Sequence, residues 1–273
     1  MDKLSKISLI PHAGLCNRMR AIASGIYFAK FYNTPIAVYW NKTHDCYAKF
    51  SDLFQYPNIE SVCIMENHNP LYMVHGPRTL YVPKYLRNLF FKSSISGYSS
   101  NKSGPISANG MFKGNVVIES CCDIDNHYSI NEIFIPTREI LSKIENLIGS
   151  SSNNMIGIHI RRTDNANSIA SASIEDFMSR MSKEIDDDET TIFYLATDDP
   201  NVKNTLRQKF GERIISPDLC LSRSSVKGMK DAVADLYCLS RSKKIIGSYY
   251  SSYSEIAAEI GGIELEICKK NNL

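Results

Sequence analysis

The stretch Gly157-Ile-His-Ile-Arg-Arg-Thr-Asp164 decides the fold class, because an apolar strand ends there in charged side chains. The apolar run predicts a strand over residues 155–160, and helical spacing predicts a helix over 174–185. The same patterns continue to the end of the chain, with strands over 192–196, 213–215 and 244–247 and helices over 201–210, 231–241 and 251–260. Strands that alternate with helices indicate a doubly wound α/β sheet, which binds ligands outside the carboxyl ends of its strands.

The N-terminal part predicts a second α/β unit. A strand over residues 7–10, a helix over 19–30 and a strand over 36–40 form a β–α–β pattern. A further strand is predicted over 116–120, whereas 66–115 is rich in Pro and Gly and is expected to be irregular. A polar linker near residue 150 predicts two domains, 1–149 and 150–273.

Composition excludes several classes of protein. The 273 residues carry 31 Lys and Arg against 29 Asp and Glu, a net charge of +2, whereas duplex nucleic-acid binders carry a strong basic excess. Residues 1–150 hold 15 of the basic and 11 of the acidic residues, or +4, which hints at an anionic ligand. No segment predicts a signal peptide or a membrane span. The eight cysteines lack metal-site spacing and are expected to be buried free thiols in the cytoplasm, with peripheral membrane contact left open.

The end of the strand over 155–160 is the first candidate site. His159, Arg161, Arg162 and Asp164 follow the apolar run, and the planar fork of arginine suits phosphate. The alternative is a pair of arginines held by surface acids.

Two acidic motifs follow. Asp198 and Asp199 end the strand over 192–196, where Asp199 can cap the next helix or the pair can bind a divalent cation. Asp235 lies among apolar residues and needs a partner, either a neighbouring Lys or Arg or the two adjacent N–H donors of guanine.

Two turns complete the candidates. Ser251 and Ser252 precede a predicted helix, where they can bind phosphate or form a capping box with Glu255. Gly14, Asn17 and Arg18 lie at the first strand–helix turn. The sequence of this turn matches neither the dinucleotide fingerprint nor the Walker A loop.

Together these motifs resemble a known superfamily. HIRRTD, YLATDDP and DLYCLSRSKKIIGSYYSSYSEIA are similar to the three-motif region of the α-1,6- and α-1,2-fucosyltransferases and the protein O-fucosyltransferases, and GLCNRMRAIASG is similar to their first turn. The resemblance implies the GT-B architecture, two Rossmann-like domains facing across a cleft. It also implies inverting, metal-independent transfer of fucose from GDP-fucose to a glycan hydroxyl, with no cofactor.

The resemblance implies a role for each matching residue. Arg161 would hold the β-phosphate, supported by Arg162, and His159 with Asp235 would recognise guanine. Asp198 would orient the donor side, with Arg161 the other residue assigned to catalysis. The remaining donor-binding residues would be Asp164, Ser251 and Ser252, with Gly14, Asn17 and Arg18 on the opposite wall.

One departure leaves the catalytic base unassigned. The α-1,6 enzymes have a glutamate shortly after the arginine motif, but residues 165–169 contain no carboxylate. Glu119, Asp123 and Asp125 are the candidates that remain. Transfer from GDP-mannose or a UDP-sugar, and non-catalytic binding of a sugar nucleotide or glycan, are the alternative functions.

Overall fold

The computed structural model describes two compact units. Described are residues 4–67, 69–73, 81–87, 89–91, 93–97, 114–124, 129–149, 154–163 and 166–270. The first unit comprises Met1–Thr137 and Ser222–Met229, and the second comprises Arg138–Leu221 and Lys230–Leu273. This division falls before the helix that precedes the expected linker, and each unit contains one five-stranded parallel sheet. The predicted α/β class is confirmed.

The first unit is a parallel sheet with the strand order β3-β2-β1-β5-β4. Its strands are β1 (Leu4–Pro11), β2 (Ile36–Tyr39), β3 (Val62–Met65), β4 (Ser93–Gly97) and β5 (Gly114–Ser120). Its helices are α1 (Leu15–Phe31), α2 (Phe50–Leu53) and α3 (Lys84–Arg87). Gly25 lets α1 approach β1 closely, because an added Cβ would lie 2.7 Å from Leu9 Cδ2.

The expectation that residues 66–115 are irregular is wrong for β4. Ser93–Gly97 pairs in parallel with β5 from Ser93 opposite Val116 to Gly97 opposite Ser120. The serine-rich sequence carries little strand propensity, so its conformation comes from pairing with a neighbouring strand. Residues 98–113, which belong to the same stretch, lie outside the described residues.

The second unit is a parallel sheet with the strand order β10-β9-β6-β7-β8. Its strands are β6 (Met155–Ile160), β7 (Ile192–Thr197), β8 (Ile214–Ile215), β9 (Lys244–Ser248) and β10 (Glu264–Cys268). Its helices are α4 (Arg138–Ile148), α5 (Ala166–Ser171), α6 (Ile174–Asp187), α7 (Pro200–Phe210) and α9 (Ser252–Gly261), while α8 (Val226–Ser240) begins in the residues assigned to the first unit.

The two faces of this sheet carry different side chains. Ile156, Ile158 and Ile160 lie on one face in a buried apolar core that includes Phe177 of α6 and Leu206 of α7. Because strand side chains alternate, the residues between them face the other side. Both faces of the sheet therefore carry packed side chains, and the connecting loops lie at the ends of the strands.

A glycine lets α8 approach the second face of that sheet. A Cβ added at Gly157 would lie 3.0 Å from Ser242 Oγ and 3.1 Å from Leu239 Cδ2. The side chains of β6 that share the face of Gly157, among them His159, therefore point toward the helices that follow β8 and β9 in the chain.

Two further findings concern the expected cellular context. Within the described ranges, none of the helices combines the length and the apolar character that a bilayer-spanning segment needs. All eight cysteines are free; Cys16, Cys46, Cys238 and Cys268 are buried, as expected, whereas Cys63 is exposed.

Candidate functional site

The loop after β6 is held from both sides by the neighbouring strand ends. On one side the backbone N–H of Arg161 donates to Oγ of Ser248, at the end of β9, at 3.0 Å. On the other side the carboxylate of Asp198 accepts from the N–H of Arg162 at 2.7 Å and from the N–H and hydroxyl of Thr163 at 3.2 and 2.6 Å. These bonds fix the main chain from which the two arginine side chains project.

The position of this loop follows from the topology. The chain runs from β6 outward to β7 and β8, then returns to the other side of β6 to form β9 and β10. The strand order therefore reverses at β6, and the crevice at such a reversal is where open α/β sheets bind ligands. The sequence motifs around residues 161, 198 and 248 all lie at this edge, as predicted.

His159 is a buried, neutral imidazole beside this edge. It is 7% exposed, and its ring centroid lies 5.1 Å from that of Tyr253. Burial lowers its pKa to about 4, helped by the charge of Arg161 and opposed by that of Asp198. Within the described part of the chain, Nδ1 of His159 has no hydrogen-bond partner. An orphaned buried nitrogen indicates a position suited to a polar ligand.

Asp235 is held by the hydroxyls of two tyrosines. The Tyr194 hydroxyl donates to Oδ1 at 2.7 Å, and the Tyr253 hydroxyl lies 3.1 Å from Oδ2 and donates to the carbonyl of Ala232 at 2.7 Å. Burial raises the pKa of Asp235 to about 6, although the two tyrosine hydroxyls act in the opposite direction. This carboxyl therefore changes its charge in a mildly acidic range.

The cations that offered the alternative for Asp235 have other partners. Arg241 pairs with Glu145 at 2.6 Å, and Lys244 pairs with Glu184 at 2.7 Å. Lys243 donates to the side-chain oxygen of Asn154. Pairing with these three cations thus does not explain why an acid occupies position 235.

The turn before α9 contains a strained residue and an unsatisfied hydroxyl. Tyr250 has φ of 58°, a left-handed conformation that costs free energy in a bulky residue. Ser251 occupies the N-cap position, but its hydroxyl makes no capping bond, so the expected capping box with Glu255 does not form. Ser251 is 1% exposed, and its Oγ has no partner among the described residues. A buried hydroxyl at a helix N-terminus suits an anionic oxygen.

The two acids of the Asp-Asp-Pro motif both serve the main chain. Asp199 caps α7 by accepting from the N–H of Asn201 at 2.8 Å, which confirms the predicted cap. Asp198 accepts three bonds from the loop after β6, as described above. In the portions of the chain that the structure describes, no three His, Cys, Asp or Glu side chains are grouped as metal ligands.

The guanidinium group of Arg162 is only partly hydrogen-bonded. Its Nη1 donates to the carbonyl of Ile169 at 3.2 Å. Its buried Nε and Nη2 have no partner in the described ranges. Asp164, which the sequence placed in the same loop, lies outside the described residues.

In the first unit, the turn after β1 is built around a buried arginine. Arg18 is fully buried and donates to the carbonyls of Ala13 and Asn41 at 2.8 and 2.6 Å and to the Thr43 hydroxyl at 2.6 Å. Its guanidinium also lies 5.1 Å from the Trp40 ring centroid. Arg18 therefore holds its own turn, although the sequence suggested that it reaches a ligand.

The other two candidates in this turn are more open. Gly14 has ordinary backbone angles, and a Cβ added there would meet nothing within 4 Å. Asn17 is half-buried in the first turn of α1. The left-handed residue that makes the turn is Ala13, with φ of 65°.

The acids considered as a catalytic base already have basic neighbours. Glu119 pairs with buried Arg87 at 3.1 Å, and Asp123 pairs with Arg20 at 3.5 Å. Asp125 lies outside the described residues. The base therefore remains unassigned.

Sequence reasoning missed four residues that shape this edge of the sheet. Tyr194 and Tyr253 hold Asp235, while Ser248 and Thr163 fix the loop after β6. One signal was present: Tyr194 interrupts an otherwise apolar buried strand, and a buried phenol needs a hydrogen-bond partner.

Comparisons with known proteins identify related folds. No family model matches the chain, and none of the curated proteins matches its sequence. A NodZ α-1,6-fucosyltransferase co-crystallised with GDP superposes with a TM-score of 0.65 at 16% identity, covering 93% of this chain and 91% of that one. NodZ from Bradyrhizobium itself gives a TM-score of 0.62 at 15% identity, covering 93% of this chain and 92% of that one.

Two other fucosyltransferases share the fold. POFUT1 in complex with GDP gives a TM-score of 0.59 at 10% identity, covering 98% of this chain and 99% of that one. A mutant of Arabidopsis thaliana FUT1 in complex with GDP gives 0.58 at 14% identity, covering 99% and 71%. The resemblance noted in the sequence is thus confirmed at the level of the fold: the chain has the two-domain, Rossmann-like fold of these fucosyltransferases.

Proposed function

We propose that this protein is an inverting, metal-independent fucosyltransferase that moves fucose from GDP-fucose to a hydroxyl of a glycan. The observation that carries the proposal is the arrangement of the second unit, in which Arg161 follows β6, Ser251 precedes α9, and Asp235 of α8 bonds to Tyr253 of α9. The chain shares its fold with fucosyltransferases whose structures contain GDP. A base-recognising acid and phosphate-binding groups in one unit are what a nucleoside diphosphate requires.

Guanine recognition is assigned to Asp235 and His159. A carboxylate has about four lone-pair positions, so the two tyrosine hydroxyls leave acceptor capacity on Asp235. Guanine offers adjacent N1–H and N2–H donors, which uracil and adenine do not present together. The neutral imidazole of His159 supplies one donor and one acceptor beside Tyr253.

The diphosphate is assigned to Arg161 and to the start of α9. Arg161 projects from a loop that Ser248 and Asp198 fix on either side. Ser251 and Ser252 lie at the helix N-terminus, where N–H groups and the helix dipole favour negative charge. Arg162 supports the same loop through its bond to Ile169.

The proposed reaction is a direct displacement. The acceptor hydroxyl gives up its proton to a base and attacks C1 of fucose, while the C1–O bond breaks and the electron pair leaves with GDP. Arg161 and the helix N–H groups stabilise the negative charge that develops on the leaving diphosphate. The positive charge of the site then comes from protein groups, since Asp198 and Asp199 both bind the main chain.

Release of GDP from GDP-fucose in the presence of an oligosaccharide panel tests this proposal. Arg161→Ala should lower the rate by roughly 10²–10³, the cost of losing one preorganised charge-stabilising contact. The matched control is Arg241→Ala, because Arg241 lies before β9, at the amino edge of the sheet, in a partly exposed pair with Glu145. Retention of more than half the activity by Arg161→Ala would contradict the assignment.

A non-catalytic function is the second candidate. The lack of a carboxylate over residues 165–169 favours a protein that binds a sugar nucleotide without transferring the sugar. In that case GDP would bind with the same dependence on Arg161, but no acceptor would yield product. Transfer from GDP-mannose or a UDP-sugar instead would keep the reaction and replace the donor.

A further inference from the structure

A cluster of exposed apolar side chains stands out in the first unit. It consists of Tyr85, Leu86, Leu89 and Phe90, which we call the outward patch. These side chains are 72%, 39%, 79% and 63% exposed, respectively. Single exposed apolar residues are ordinary, whereas four large ones within six positions mark an interaction surface.

Two buried side chains, Arg87 and Phe91, anchor the segment that carries the outward patch. Arg87 is 1% exposed and donates to the carbonyls of Val82 and Met73 at 2.9 and 2.5 Å and to Glu119 at 3.1 Å. Phe91 is buried and packs in a small apolar core with Ile10, near the end of β1, and Val117, in the middle of β5.

Backbone bonds continue the turns of α3 through the patch. The N–H groups of Phe90 and Phe91 both donate to the carbonyl of Arg87, at 2.8 and 3.1 Å, and that of Leu89 donates to Leu86 at 3.2 Å. In helical turns, residues four apart share a face. Arg87 and Phe91 form the buried face, so the patch residues 85, 86, 89 and 90 face solvent as a consequence of the fold.

The sequence around the patch is basic and contains no acid. From Asn67 to Ile118 there is no Asp or Glu, whereas there are six Lys and Arg residues: Arg78, Lys84, Arg87, Lys92, Lys102 and Lys113. The buried ion pair of Arg87 with Glu119 neutralises one of them. Apolar side chains flanked in sequence by Lys84 and Lys92 match the chemistry of an anionic lipid surface.

We propose that the outward patch docks this protein on the surface of an anionic lipid bilayer, with Leu89 and Phe90 inserted among the acyl chains. The basic, acid-free sequence around the patch favours an anionic lipid surface over a protein partner, because such a surface attracts any Lys or Arg that lies near it.

This inference does not rest on the proposed transferase activity, and vesicle flotation tests it. The full chain is mixed with vesicles of phosphatidylcholine alone or with added phosphatidylglycerol. We expect the wild type to float with the anionic vesicles, and Leu89→Glu/Phe90→Glu to lose at least about tenfold in partitioning, the effect of withdrawing buried apolar side chains. Phe31→Glu is the matched control, because Phe31 is 70% exposed at the end of α1 and should bind like the wild type.

The melting temperature and its rise with GDP serve as the control for folding, since neither should change in the double variant. Equal flotation of the double variant and the wild type would overturn the inference. So would equal binding to neutral and anionic vesicles, or no flotation at all. A wild-type dimer that the double variant dissociates, without vesicle binding, would show a second copy of the chain as the occupant and overturn it as well.

Discussion

Asp235→Asn should change how the stability of the second unit depends on pH. In the folded protein the pKa of Asp235 is raised from 3.8 to about 6, chiefly by burial. Folding thus favours the neutral carboxyl. The contribution of Asp235 to the free energy of unfolding is complete below pH 3.8, the unfolded pKa, and is lost as the pH rises through about 6. The loss corresponds to about 3 kcal/mol, and asparagine does not incur it.

His159 produces the opposite trend in the same pH range. Burial lowers its pKa from 6.5 to about 4, so its contribution is complete above 6.5 and is lost as pH falls toward 4. That loss is also about 3 kcal/mol. In the wild type the two trends oppose each other, which hides both in a single pH profile. Comparing variants at each pH separates them.

Hydrogen exchange of peptides from β6 and α8 measures the local opening free energy of this unit. The difference between Asp235→Asn and wild type, taken at the same pH, should rise by about 2.5 kcal/mol between about pH 4 and pH 7, which is most of the full effect. For His159→Gln the difference should fall by a similar amount. A difference that changes by less than about 0.5 kcal/mol over this range in Asp235→Asn would refute the buried-carboxyl reasoning.

Three further outcomes follow from the same contacts. Asp198→Ala should weaken GDP binding at least about tenfold, because it releases the loop after β6. The adjacent Asp199→Ala should lower the free energy of unfolding by about 1 kcal/mol and leave the affinity for GDP unchanged. Titration calorimetry measures the affinity, and thermal denaturation measures the stability. Tyr253→Phe should weaken GDP binding more at pH 6 than at pH 8, because the lost hydroxyl favours the ionised form of Asp235; a deficit independent of pH would contradict this. Arg87→Ala should destabilise the protein by about 3–5 kcal/mol in thermal denaturation and Arg241→Ala by at most about 1 kcal/mol, since only the first breaks a buried pair; equal effects would count against it.

Four strands of the second unit, β6 to β9, could be predicted because each is a short apolar run followed by polar residues. The fifth, β10, was missed, because its sequence alternates acidic and apolar residues. The predicted bounds of β6 match the observed strand, and β7 and β9 each extend one residue beyond their predicted ends. β4 could not be predicted, because Ser93–Gly97 takes its conformation from β5. Local pattern thus determined the strands that carry the site, and pairing over a distance determined the edge strand.

The partners of the site residues were harder to predict than the residues themselves. The sequence pointed to Asp235, but its tyrosine partner Tyr194 is 41 positions away, and only the packing of α8 on β7 brings them together. Arg18 was assigned to a ligand because it follows a glycine turn. The structure instead places it beneath Trp40, bonded to backbone carbonyls. Sequence spacing does not distinguish an arginine that binds a ligand from one that stabilises a turn.

The shift in melting temperature with GDP, GDP-fucose, UDP and ADP, each with and without EDTA, tests most directly whether the second unit binds a guanine nucleotide. Ligands that bind the native state raise the midpoint by mass action. We expect stabilisation by GDP and GDP-fucose only, unchanged by EDTA and abolished in Arg161→Ala. Stabilisation by UDP or ADP would contradict the assignment of Asp235 to guanine, and no shift with any of the four would contradict a sugar-nucleotide site at the end of β6.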